Sequence, residues 1–160
     1  MKQNQTAREK SLHPEPVAAP KTKSDAGSES NEGLDERIIT AVRAASDKKA
    51  LDMVVLDLRG VASFTDYFLI ISGMNARQVQ AITDEIVARL KTQGTRAQRV
   101  EGYRTAEWVL VDYGDFIVQV FDSKARQFYD LERLWRDAER IAIPEDAAMN
   151  RREALIPEAL

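Results

Sequence analysis

The chain has 160 residues, with 23 Lys and Arg against 26 Asp and Glu, no cysteine and one histidine. That length suits one domain with tails. The composition excludes disulfides, thiolate metal sites and a cysteine nucleophile, and, because His13 lies in a polar stretch, the folded part is expected to lack a histidine base or a histidine-ligated metal.

Residues 1–32 are rich in Lys, Ser, Pro, Glu and Ala. They hold too few large apolar groups to offset the entropy of ordering, so a disordered tail is expected. Five Lys/Arg and five Asp/Glu in that stretch argue against a mitochondrial transit peptide, and the first residues lack the apolar core of a signal peptide. No apolar run approaches the roughly 20 residues of a membrane span. A bacterial-type cytoplasmic location is expected. From Leu34 to Ile143 there are 16 basic and 17 acidic residues. A near-neutral domain has little general attraction for nucleic acid.

Leu34 to about Ser46 reads as a helix, with Leu34, Ile38, Ala41, Val42 and Ala45 at helical spacing. Met53–Leu58 is a short strand. Tyr67–Ile71 is nearly all apolar and reads as a central strand buried on both faces. Ser72-Gly-Met-Asn75 links it to a second helix, about Ala76 to Gln93, with Asn75 as candidate N-cap and Val79, Ile82, Ile86 and Leu90 as its buried stripe. Gly94 is expected to end that helix. Ala97–Glu101 is a strand, and Gly102–Ala106 turns the chain into a hairpin. The strand–helix–strand unit from Tyr67 to Glu101 is expected to make a right-handed parallel crossover.

Glu107 to Phe121 carries the strongest pattern. Two β-branched and aromatic runs flank Tyr113-Gly114, a hairpin signal. With Tyr113-Gly114 as the loop, Asp112 pairs with Asp115 and Val111 with Phe116. Side chains alternate, so two faces follow. One carries Val109, Val111, Phe116, Val118 and Val120 and belongs under helices. The other carries Trp108, Leu110, Asp112, Asp115, Ile117, Gln119 and Phe121. Its apolar centre and polar rim resemble a protein-binding surface. Trp108, Leu110, Ile117, Gln119 and Phe121 are therefore the candidate partner-binding residues. The competing reading covers both sheet faces within the domain and puts Trp108 in the core. Asp112 and Asp115 fit turn chemistry better than a metal site.

Beyond Phe121, Asp122 or Ser123 caps a short helix through Tyr129. Asp130 caps another, with Leu131, Leu134, Trp135 and Ala138 on one side. Pro144 closes the domain, and residues 144–160 form a C-terminal tail in which Ala154-Leu-Ile156 is the one segment suited to docking. The expected architecture is a single α/β domain over residues 33–143, a five-stranded mixed sheet flanked by helices, with the hairpin adding antiparallel edges.

The best enzymatic candidate is Ser72-Gly-Met-Asn-Ala-Arg77, where a strand ends, a glycine follows and a helix begins. It lacks a Walker lysine and a G-x-G-x-x-G. Nothing assembles a nucleophile, a base and an oxyanion site, and no cofactor is implied. A nucleotide-binding or nucleotidyltransferase-like enzyme stays as the alternative reading.

Five blocks carry a family resemblance: Ser63-Phe-Thr-Asp-Tyr-Phe-Leu-Ile-Ile-Ser-Gly73, Arg77-Gln-Val-Gln-Ala-Ile-Thr-Asp84, Val100-Glu-Gly-Tyr103, Glu107-Trp-Val-Leu-Val-Asp-Tyr-Gly-Asp115 and Phe128-Tyr-Asp-Leu-Glu-Arg-Leu-Trp135. Together they resemble the ribosomal silencing factor, or iojap-like, family over about residues 34–138. The resemblance implies a nucleotidyltransferase-like fold without transferase activity. It implies binding to the large ribosomal subunit through large-subunit ribosomal protein fourteen, blocked subunit joining and repressed translation under nutrient limitation. Self-association through the same face, hiding it, is compatible with that role. Family members often carry histidine where this chain has Gln119, and an amide does not titrate near neutral pH.

A chain beginning near Gly33 is expected to keep the melting temperature and the large-subunit cosedimentation of the full chain. Loss of either on truncation would give residues 1–32 a role their composition does not suggest.

Overall fold

A computed structural model describes residues 33–148; residues 1–32 and the Ala154-Leu-Ile156 segment lie outside that range. Helix α1 (Glu36–Asp47) begins where Asp35 accepts from the Arg37 backbone N–H, which satisfies a donor the first turn leaves free. Strand β1 (Leu51–Asp57) and strand β2 (Tyr67–Gly73) follow as an antiparallel pair. Helix α2 (Ala76–Thr92) is capped by Asn75, whose side chain accepts from the Gln78 N–H. Then come β3 (Arg99–Glu101), β4 (Trp108–Asp112), β5 (Phe116–Asp122), α3 (Ser123–Tyr129), α4 (Leu131–Leu134), β6 (Glu139–Ile141) and α5 (Glu145–Ala148).

The sheet has six strands in the order β3-β4-β5-β2-β1-β6, one more than the sequence reading gives. The extra strand, β6, pairs antiparallel with β1 through Val55 and Ile141. The hairpin does not form an edge. β5 lies centrally and pairs in parallel with β2 from Tyr67↔Phe116 to Gly73↔Asp122. Consequently the unit from β2 to β3 spans two intervening strands rather than joining neighbours. Burial explains the order: every residue of β5 but the last is buried, whereas β3 is exposed throughout.

The hairpin turn sits one residue later than expected. Tyr113 N–H donates to the Phe116 carbonyl at 3.0 Å, leaving Gly114 and Asp115 as the two-residue loop. Gly114 has φ 92, the positive value that a primed turn requires at its first central position. Asp112 holds the loop by accepting from the Gly114 N–H at 2.8 Å, and Thr65 Oγ1 donates to the Gly114 carbonyl at 2.9 Å. The register becomes Val111↔Val118 and Trp108↔Phe121. Moving the turn by one residue shifts pairing by two, so every side chain within the two strands keeps its expected face; Asp115, expected opposite Asp112, lies in the loop and pairs with Arg37 of α1.

The first face is a closed core. Val109, Val111, Phe116, Val118 and Val120 pack with Ile38, Ala41 and Val42 of α1 and with Val79, Ile82, Ile86 and Leu90 of α2. The two helices are stitched by Gln78, whose Nε2 donates to the carbonyls of Lys48 and Lys49 at 3.0 Å each while its Oε1 accepts from Met74 N–H at 2.6 Å. Pro144 does not close the packed unit: in α5, Ala147 is buried, and Ser46 Oγ donates to the Ala148 carbonyl at 2.7 Å.

Tyr113 is stacked on Phe116 with centroids 4.9 Å apart. Its hydroxyl is buried and, among the described residues, has no hydrogen-bond partner. Burial pushes its pKa up to about 12, since the phenolate would lose its hydration. An orphaned buried donor costs about 1 to 3 kcal/mol. Tyr113→Phe is therefore expected to raise stability by about 1 kcal/mol. A lower melting temperature for that variant would show that the hydroxyl has a use.

Candidate partner-binding face

The second sheet face is covered only in part. Leu56, Leu58, Phe68, Ile70, Ile117 and Phe121 pack with Ala125, Leu131, Trp135 and Ala138 from the segment that follows β5. Asp122 starts α3 by accepting from the Ala125 N–H at 2.8 Å. The chain thereby turns straight from the central strand onto this face. Phe64, Phe68 and Trp135 form an aromatic cluster there, with Phe68 and Trp135 edge to face at 5.7 Å. Trp135 is core, as its spacing suggests.

The five candidate residues are brought together but not to the surface. Phe121 is fully buried, Gln119 is 2% exposed and Ile117 7%. Trp108 and Leu110 are half-buried. The centre of the face is internal core, as the competing reading has it, and its rim at Trp108 is half-buried. Trp108 Nε1 donates to Gln119 Oε1 at 2.8 Å. Its ring stacks on Phe121 at 5.1 Å and meets Tyr129 at 4.6 Å. The buried amide thus serves as acceptor for the indole N–H, a task that needs no titration.

Sequence reasoning missed two residues of this rim. Phe128 is 78% exposed and Tyr129 44%, and their rings meet edge to face at 4.9 Å. A partial signal was available: adjacent residues on a helix point about 100° apart, so a pair of aromatics at the end of a short helix spreads over more than one side of it. With Glu107, Asp122, Lys124 and Ala125 they line a shallow cleft beside Trp108. The aromatic surface so formed is apolar with a charged rim, the make-up of a protein contact. The turn leading into β4 is also braced. Tyr103 Oη donates to the Asp84 carboxylate at 2.9 and 3.0 Å, and Gln80 Nε2 donates to the Tyr103 carbonyl at 2.9 Å.

At the Ser72–Arg77 junction several polar groups are engaged within the fold, while Arg77 is exposed. Ser123 Oγ donates to the Gly73 carbonyl at 3.1 Å, and Arg126 Nη1 donates to Ser72 Oγ at 2.7 Å. Gln78 and Asn75 occupy further groups at the start of α2. Asp112 and Asp115 pair with Arg99 and Arg37 at 3.3 and 3.0 Å. Among the described residues no group of three or more His, Asp or Glu is placed to hold a metal, and no helix is long and apolar enough to cross a membrane.

The family described as "ribosomal silencing factor during starvation" matches residues 31–158. A relative from Halalkalibacterium halodurans, named ribosomal silencing factor RsfS, is 43% identical over 108 residues, covering 68% of this chain and 92% of its own. The Bacillus subtilis protein of the same name is 45% identical over 98 residues, covering 61% and 83%. A crystal structure of a Chromobacterium violaceum protein matches at TM-score 0.63 and 31% identity, covering 75% of this chain and 99% of that one. The chain belongs to the ribosomal silencing factor family, whose members are ribosome-associated regulators of translation and not enzymes.

Proposed function

We propose that the protein binds the large ribosomal subunit through large-subunit ribosomal protein fourteen, and that the bound factor blocks joining of the small subunit and represses translation when nutrients are short. The observation that carries the reading is the open aromatic rim of an otherwise covered sheet face: half-buried Trp108 beside exposed Phe128 and Tyr129. Buried Gln119 and Phe121 hold Trp108 from behind and Ile117 fills the core below, while Leu110 extends the contact along β4. Aromatic groups in this setting dominate the energetics of protein contacts. The reading places the protein in the cytoplasm, beside the ribosome.

Titration of the purified protein with isolated ribosomal protein fourteen tests it. Saturable binding is expected. Cosedimentation with the large subunit but no binding to the isolated protein would assign the contact to another component. Self-association through the same face would compete, so the titration belongs at concentrations where light scattering shows a monomer.

The domain is near neutral, so binding to the subunit is expected to depend only modestly on salt. Contacts neutralising Z phosphates give a log–log slope of about −0.7Z to −0.9Z. A slope matching about six phosphate contacts would make ribosomal RNA the main site.

A further inference from the structure

The aromatic rim depends on a helix that is not part of the sheet, and something must hold that helix in place. α3 and α4 meet at Asp130, whose backbone is left-handed at φ 46, ψ 57. Residues other than glycine hold that conformation when their surroundings enforce it. Asp130 makes no side-chain cap to α4; its backbone N–H donates to the Arg126 carbonyl and its own carbonyl accepts from the Arg133 and Leu134 N–H groups, so side-chain bracing of the elbow comes from elsewhere.

Arg126 spans it. On one side its Nη2 and Nε donate to the two oxygens of Glu132 at 2.7 and 3.3 Å, a two-pronged grip from α3 to α4. On the other its Nη1 donates to Ser72 Oγ, on β2, at 2.7 Å. The Arg126 and Glu132 side chains are 11% and 18% exposed, and Ser72 is 1% exposed. A largely buried ion pair is weak evidence of stabilisation, because desolvation opposes the attraction. A fork with three hydrogen bonds to two fixed partners does define geometry, which a point charge would not. Three residues beyond Arg126, on the same short helix, Tyr129 lies 4.6 Å from the Trp108 ring.

We propose that Arg126 is the positioning residue of the partner-binding face: its grip on Glu132 and Ser72 locks the α3–α4 elbow so that Tyr129 and Phe128 stand against Trp108. The inference rests on the proposed function for what the face binds, but the positioning itself is a property of the free protein.

The test uses the full chain carrying Trp135→Phe, which leaves Trp108 as the one tryptophan. Acrylamide quenching of Trp108 is measured without partner, then affinity for isolated ribosomal protein fourteen. Arg126→Gln is expected to increase quenching and to weaken affinity about tenfold, as loss of a coupled neighbour does. Glu132→Gln should shift both in the same direction and less. Arg126→Lys, which keeps the charge but not the fork, should fall between wild type and Arg126→Gln. Should Arg126→Gln fail to melt cooperatively, the two milder variants decide. Wild-type quenching in a folded Arg126→Gln or Glu132→Gln would overturn the proposal, and so would lost affinity with quenching unchanged. Increased quenching in these variants supports the clamp even if the wild type fails to bind, a failure that counts against the proposed partner alone.

Discussion

Gly102→Ala is expected to destabilise the domain by about 3 kcal/mol or more. Gly102 has φ 82, which disfavours any residue with a Cβ. A methyl group built there falls inside hard contact with the Trp108 carbonyl oxygen, which is backbone and cannot swing away. Both strain and overlap therefore act at one residue. The turn cannot relax cheaply, because Ala106 N–H donates to the Gly102 carbonyl at 2.9 Å and Ala106 is itself left-handed at φ 55 and buried. The control is Gly60→Ala. Gly60 has φ 88, but its Cβ would meet open space, so only the conformational cost of about 1 kcal/mol applies. Thermal melts should separate the two, with Gly102→Ala lower by on the order of 10 °C or more. Equal melting temperatures would mean that the turn into β4 is more yielding than its contacts imply.

Trp108→Ala is expected to weaken binding to ribosomal protein fourteen at least tenfold. Tryptophan truncation at the centre of a contact commonly costs about 2 kcal/mol or more, roughly thirtyfold in affinity. The sequence alone suggests that this variant leaves the fold nearly intact, with Trp108 free to serve the partner. The structure revises that. Removing the indole takes the donor from the buried Gln119 amide and uncovers Phe121 and Tyr129. A stability loss of about 1 to 3 kcal/mol is expected alongside the lost affinity. Val118→Ala is the matching control, since Val118 is fully buried on the opposite face and should lose about 1 to 3 kcal/mol through a cavity. At a temperature where both variants are folded, only Trp108→Ala should bind weakly. Equal affinities would remove Trp108 from the contact.

The two faces of the hairpin were legible because their sorting needs only parity, and parity survives a turn displaced by one residue. Helices α1 and α2 were legible because each is long enough to show its stripe several times. The strand order was not, since the place of β5 between β4 and β2 depends on pairing between segments far apart in the chain. Strand β6 was not either: Glu139-Arg-Ile141 is too short to alternate recognisably and gains its place only against β1. The cover on the second face stayed undecided for a related reason. In helices as short as α3 and α4, Ala125 and Leu131 turn inward while Phe128 and Leu134 turn out, and one or two turns do not establish a stripe. The aromatic rim at Trp108 was thus half visible, as a tryptophan on a mixed face, while the placement of Phe128 and Tyr129 beside it depends on the left-handed turn at Asp130, whose position the sequence marks but whose direction it does not.

Sedimentation of purified ribosomal subunits under conditions that favour joining tests the central claim most directly. With the protein present, the joined particle should give way to separate subunits, and the protein should travel with the large one. Trp108→Ala should leave joining largely intact. Undiminished joining with the protein bound to the large subunit would contradict the proposed block, and migration with the small subunit, or with neither, would contradict the proposed site.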